Sequence, residues 1–191
     1  MVRLDPIEAE ECLRNMIFIA DSREQSTDAL KIRLKYLEPY ERETVDSGDY
    51  TAKTLLPDGT WFYLPCSVER KMNAGEIAGN FCRERERFIA EFNRARDAGT
   101  KLYILIERAT WESIYAGAYR SQMKPQSLIA SLFTWSARYG CPILLNDVAM
   151  ADDEDPTKYT QRVSAVSGKL IRDILHYEMR EALDRMVDYG T

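Results

Sequence analysis

Two runs rich in aromatic and β-branched residues, 49–56 (Asp-Tyr-Thr-Ala-Lys-Thr-Leu-Leu) and 61–68 (Trp-Phe-Tyr-Leu-Pro-Cys-Ser-Val), flank the turn signature Pro57-Asp58-Gly59-Thr60. No other feature constrains the chain as much, because a β-hairpin fixes which residues stand opposite one another. Folding back about the turn pairs residues whose numbers sum to about 117, or to about 118 if Gly59 takes the left-handed position of a G1 bulge. Asp49 then faces Val68 or Glu69. Side chains alternate along a strand, so Glu69 and Lys71 share one face while Val68 and Arg70 take the other. Pro65 cannot donate to a ladder and belongs at an edge or a bulge.

The hairpin therefore gathers Asp49, Glu69 and Lys71 into one cluster. A third acid, Asp21, follows the apolar run 16–20 (Met-Ile-Phe-Ile-Ala), a buried strand whose carboxyl end is where α/β sheets place functional groups. Paired carboxylates repel unless a positive charge sits between them, and hard oxygen ligands select Mg2+, with Mn2+ able to substitute. Such a metal polarises a phosphate and activates a water, while an ammonium orients that water or offsets developing charge. Taken alone, Glu69-Arg70-Lys71 reads more simply as an exposed strand with a surface ion pair worth under about 1 kcal/mol. The ordered succession Asp21-Ser22-Arg23-Glu24, Gly48-Asp49-Tyr50, Val68-Glu69-Arg70-Lys71 reverses that preference.

This succession resembles the signature of the XPF-type nuclease family, over about residues 16–146. The resemblance implies a restriction-endonuclease-like α/β fold, with a central mixed β-sheet flanked by helices. It also implies metal-dependent cleavage of branched, flapped or forked DNA. Residue by residue it implies metal roles for Asp21, Asp49 and Glu69, a catalytic role for Lys71, and a phosphate or structural role for Arg23, with Glu24 as a further candidate. The family's last acid falls at Gly75 here; the nearest acid is Glu76, which either takes over the task or leaves the position vacant. No appended helix-hairpin-helix or helicase segment is evident, so the chain is expected to be one nuclease domain, 1–191, like compact phage and bacterial relatives. These nucleases commonly work as dimers. The alternative is a non-catalytic scaffold for DNA junctions, favoured only by Gly75.

Composition agrees with a folded domain: 191 residues, 45% hydrophobic and 30% charged, suffice for a core without disulfides. The four cysteines, 12, 66, 82 and 141, lack metal-ligand spacing and point to a reduced, intracellular (cytoplasmic) protein. No signal peptide or membrane span is visible. The net charge of −5 is unusual for a DNA binder and implies modest affinity without metal. Acids gather at Asp152-Asp153-Glu154-Asp155, read as a loop, and arginines at 83, 85, 87, 94 and 96.

Further elements are read as helices over 27–37, 75–98, near 111–115, over 125–139 and over 160–187, and strands over 101–107 and 141–145. Arg70, Arg85, Arg120 and Lys124 are candidate DNA contacts, although for Arg85 a stem packed on the core and for Arg120 and Lys124 a plain surface loop are the competing readings. Arg87 and Glu91 stand at helical pairing distance and read as a solvated face. Glu107 reads as a strand-end acid or a fourth carboxylate near the metal. His176, alone of its kind, is structural. The apolar face of the last helix, with Val163, Val166, Leu170, Ile174, Leu175, Met179 and Leu183, either covers the core or pairs with another subunit or partner.

Overall fold

A computed structural model describes residues 2–151 and 154–187. Asp152 and Asp153 of the acidic run lie outside the described residues; Glu154 pairs with Arg162, and Asp155 caps the last helix. The elements follow in the order α1 (Pro6–Arg14), β1 (Ile17–Asp21), α2 (Asp28–Leu34), β2 (Tyr40–Glu43), β3 (Tyr50–Leu55), β4 (Trp61–Tyr63), β5 (Cys66–Lys71), α3 (Ala74–Cys82), α4 (Arg85–Asp97), β6 (Lys101–Glu107), α5 (Trp111–Tyr115), α6 (Pro125–Tyr139), β7 (Ile143–Asn146) and α7 (Pro156–Asp184).

The strands form one mixed sheet in the order β2-β1-β3-β5-β6-β7, with β4 attached to β3. Antiparallel pairing joins β3 to β1, β4 and β5; the outer pairs β1–β2, β5–β6 and β6–β7 are parallel. Helices cover both faces. On one, residues such as Leu13, Leu34, Leu175 and Met179 from α1, α2 and α7 pack on Phe18, Ala52, Val68 and Leu105. On the other, residues of α3, α4, α5 and α6 bury Ile104 and Ile106, with Phe81, Phe88, Phe92 and Trp135 in mutual edge and stacked contact.

The hairpin forms, but not in one register. Near the turn Lys53 stands opposite Tyr63 and Leu55 opposite Trp61, a register that would set Tyr50 against Cys66; Tyr50 instead stands against Val68. The slip occurs at Leu64-Pro65, where proline has no N–H for the ladder. Thr51 Oγ1 spans the bulge by donating to the carbonyls of Leu64 (3.4 Å) and Cys66 (2.7 Å). Leaving the β3 ladder at Pro65 frees β5 to run on as a six-residue strand between β3 and β6.

One further expectation needs correction. The helix expected over 75–98 is two helices, because the Gly79 carbonyl accepts from both Arg83 (2.8 Å) and Glu84 (3.4 Å) and closes α3 there. The apolar face of α7 covers the core: Ile171, Leu175, Met179 and Leu183 are fully buried against this chain's own sheet and helices, and Leu170 and Ile174 are partly buried beside them. Gly168 permits that closeness, since a β-carbon there would meet the Arg33 carbonyl oxygen at 2.8 Å. Among the described residues no helix is long and apolar enough to cross a membrane.

Candidate active site

The backbone brings the three sequence stretches together. The Asp21 N–H donates to the Asp49 carbonyl (2.8 Å), and the Asp49 N–H donates to the Val68 carbonyl (2.9 Å). Asp49 is aimed by two constraints. Its Oδ2 accepts from the Arg70 N–H at 2.8 Å. The preceding Gly48 has φ +82°, and a β-carbon there would lie 3.0 Å from Leu102 Cδ1 and 3.1 Å from Ser67 Oγ, so only glycine fits. From β5, Glu69 and Lys71 point to the face covered by α3 and α4, where Glu69 is 6% and Lys71 7% exposed. Lys71 Nζ donates to Glu69 Oε1 at 2.5 Å and lies 5.3 Å from the centre of the Phe88 ring.

Asp21, 4% exposed, is engaged by Arg23. Arg23 Nε donates to Oδ1 (3.0 Å) and Oδ2 (2.9 Å), its N–H to Oδ1 (2.8 Å), and its Nη2 to Oδ2 and to the Val45 carbonyl (2.6 Å). The Arg23 side chain nevertheless stays 66% exposed, so its outer edge faces solvent.

Electrostatics divide the acids. Burial works to raise the Asp21 pKa, but the Arg23 hydrogen bonds outweigh it and hold the carboxyl below its ordinary value. Asp49 goes the other way: burial, then the Glu69 and Glu24 charges, push it well above the usual range. Burial likewise raises Glu69 to about 7 against the pull of Lys71, helped by the neighbouring Glu91 carboxylate. Burial opposes the Lys71 ammonium, yet Glu69, Asp49 and Glu76 hold its pKa above normal. The site thus keeps its cation charged and gathers more acidic groups than that cation can pair.

A cleft of about 320 Å³ opens onto this cluster, lined by Asp21, Arg23, Glu24, Asp49 and Glu69, and by Asp46, Arg87, Glu91 and Arg94. Glu91 corrects an expectation: it is no solvated-face residue but reaches Gly48, whose N–H donates to Oε1 at 3.2 Å, and contacts Glu69. A signal existed. Glu91 stands next to Phe92 and one turn after Phe88, on the flank of the buried stripe.

Other candidates are placed elsewhere. Arg70 is not at the surface for DNA: its Nη1 pairs with Glu107 Oε2 at 3.0 Å on the opposite face of the sheet. Glu107, 3% exposed, is also held by Arg33 (3.4 Å), which donates to the Tyr50 hydroxyl (3.0 Å) and approaches Glu24 (3.8 Å). Glu107 thus belongs to a buried ion network behind Asp49 rather than to the cluster. Glu76 sits at the start of α3, outside the cleft's lining: its Oε2 accepts from the Met72 N–H (2.7 Å) and its N–H donates to the Asn73 cap (2.9 Å), with Oε1 4.0 Å from Lys71. Gly75 has no room for any side chain, since a β-carbon would meet the Arg120 carbonyl oxygen at 2.8 Å. The Arg120, Lys124 and Arg85 side chains are exposed, outside the cleft's lining; the Arg85 guanidinium lies 5.7 Å from the Trp135 ring centre.

Among the described residues, no three His, Cys, Asp or Glu side chains already converge as a metal-holding group. The donor chemistry fits a hard divalent cation all the same. Asp49 and Glu69 are oxygen donors whose ionisation is disfavoured by burial and by each other, a cost that a cation relieves.

Comparison with known proteins places these features in a family. The ERCC4 domain matches residues 20–160, which include all three sequence stretches. Curated proteins give no match. A structure of XPF from Aeropyrum pernix is 16% identical over 84% of this chain and 69% of that chain, with a TM-score of 0.48. Another, XPF from Aeropyrum pernix in complex with DNA, is 16% identical over 83% of this chain and 64% of that chain, with a TM-score of 0.53. The present chain thus spans about two thirds of those chains, and the second likeness shows the shared fold.

Proposed function

Since this chain belongs to the ERCC4-domain family of XPF-type, structure-specific DNA nucleases, we propose that it is itself a metal-dependent endonuclease that hydrolyses phosphodiester bonds in branched, flapped or forked DNA. The observation that carries this reading is the buried cluster of Asp49, Glu69 and the Lys71 ammonium, whose two acids line one cleft while Lys71 pairs with Glu69 behind them. Asp49 and Glu69 would hold Mg2+ or Mn2+. When bound, such an ion polarises the phosphate and lowers the pKa of an attacking water.

The remaining work falls to this chain's own groups. Lys71, kept charged by three acids, holds a positive charge in a dry site, where it is worth more than in water; it orients the water or stabilises charge growing on the phosphate. Arg23 rests its inner edge on Asp21 and turns its exposed side to the cleft, where a guanidinium suits a phosphate oxygen. In this arrangement Asp21 braces Arg23. The Arg70 N–H fixes the Asp49 carboxylate, and the Glu107 ion pair fixes Arg70 from behind. Arg87 and Arg94 on α4 extend positive charge along the cleft for the strand's backbone.

The reading is tested by incubating the protein with flap, fork, Holliday-junction and linear DNA in Mg2+ or Mn2+, with Asp49→Ala as control. Cleavage of at least one branched substrate that the variant lacks supports it; no cleavage anywhere, or cleavage undiminished by the substitution, overturns it. A scaffold for DNA junctions is favoured by two observations, the lack of room for an acid at Gly75 and the capture of Asp21 by Arg23. Such a protein binds branched DNA equally with and without Mg2+ and cuts nothing.

A further inference from the structure

Asp49 and Glu69 together leave oxygen positions open on an octahedral hard cation, to be filled by water, phosphate or a further acid. The acids that the sequence offers as a third donor are otherwise engaged, Glu24 by the buried Arg33 guanidinium at 3.8 Å. Asp21 has both oxygens on Arg23. Glu76 holds the first turn of α3. Gly75 has no side chain and no space for one. Glu107 is bound by two arginines on the far face of the sheet.

Glu91 is different in each respect. It lines the same cleft as Asp49 and Glu69, and contacts Glu69 although both are acids. Its Oε1 accepts a long hydrogen bond from the Gly48 N–H at 3.2 Å, which orients it beside the residue preceding Asp49. It is half-buried on α4, with its backbone fixed by Phe88 and Phe92 packed in the core on either side. Two acids brought into contact at the mouth of a cleft repel, and a proton or a cation is what reconciles them.

Building on the nuclease reading, we infer that Glu91 is the third carboxylate of the divalent-cation site, supplied by α4 in place of an acid at Gly75. Metal holding in this chain then divides between β3, β5 and α4, and Asp21 is left to position Arg23. This assigns to a helix residue a role that the strand-borne stretches do not contain.

The test is Mn2+ binding by calorimetry on the full chain, without DNA, for wild type, Glu91→Gln, Glu91→Asp and the exposed α4 control Glu86→Gln, with folding checked by circular dichroism. The expected result is affinity about tenfold weaker or more in Glu91→Gln, partly regained in Glu91→Asp, and unchanged in Glu86→Gln. Wild-type affinity in Glu91→Gln overturns the role of Glu91 while leaving the nuclease reading intact. Weakened Mn2+ binding in a protein that cuts no substrate supports Glu91 as a ligand and overturns the nuclease reading alone. Wild-type protein that binds no Mn2+ overturns both.

Discussion

At the scale of single residues, the site is governed by one ammonium among several acids. Lys71 is 7% exposed and paired to Glu69, so removing its charge leaves a buried carboxylate without its cation. Lys71→Ala should lower single-turnover cleavage by about a hundredfold or more, the size of effect seen when one preorganised charge-stabilising donor is lost. Retention of cleavage within about threefold would remove Lys71 from the chemistry. Glu69 makes a pH prediction. Its folded pKa is raised from 4.5 to about 7, so the folded state binds the proton more tightly than the unfolded one. Stability from this group is therefore present below about pH 4.5 and lost as pH rises through 7. In metal-free buffer, Glu69→Gln should flatten the decline between pH 5 and pH 8 measured by urea unfolding, by on the order of 2 kcal/mol. An equal decline in both proteins would refute the assignment.

Elements are held close by residues that have no side chain to give. Gly168 lets α7 approach α2 so closely that a β-carbon would lie 2.8 Å from the Arg33 carbonyl oxygen and 3.0 Å from Arg33 Cα. Gly168→Ala should cost about 1–3 kcal/mol in urea unfolding, the usual penalty of overpacking against backbone. Unchanged stability would mean that the two helices can part freely. Gly48 presents the same argument next to Asp49 and β3, with a positive φ added. Gly48→Ala is expected to lose about 1–2 kcal/mol and to misdirect Asp49; stability and Mn2+ affinity both at wild-type values would contradict that.

Element existence was largely legible in the chain where apolar periodicity is strong. The run 101–107 is a buried strand, 125–139 a helix, and the turn at Pro57 to Thr60 a hairpin. The break between α3 and α4 was not legible, because the charged run Arg83 to Arg87 carries no apolar phase in which a shift would show. Strand β2 escaped for a related reason. Its residues Tyr-Glu-Arg-Glu are mostly exposed on the sheet's edge and acquire strand geometry from pairing with β1. Helix α1 escaped as well; its one local signal was the capping box of Asp5 and Glu8 around Pro6.

On the scale of the whole molecule, a net charge of −5 must be reconciled with the polyanionic substrate proposed above. The cleft answers locally, where Arg23, Arg87 and Arg94 rim a floor of acids that cation binding would neutralise. Metal should therefore stabilise the folded chain as well as support DNA binding. Mg2+ at ten times its dissociation constant should add about 1.4 kcal/mol of stability and raise the melting temperature accordingly. The gain should vanish in Asp49→Asn and shrink at pH 5, where protons compete for the same oxygens. A melting temperature indifferent to Mg2+ at pH 8 would deny the cation a place in the folded site.

The sequence by itself determined which residues could do chemistry and the framework that carries them. A turn, alternating strands and a buried run ending at Asp21 bring Asp21, Asp49, Glu69 and Lys71 to one region, because these are consequences of periodicity and short-range geometry. Tertiary structure decided which partner each acid takes. Arg23 claims Asp21, Glu76 becomes a helix cap, Glu107 and Arg70 pair behind the sheet, and Glu91 arrives from α4. Partner choice depends on which face a side chain takes, on a register slip at a proline and on how closely a helix can approach. Those are distances between segments remote in the chain, and no local pattern encodes them.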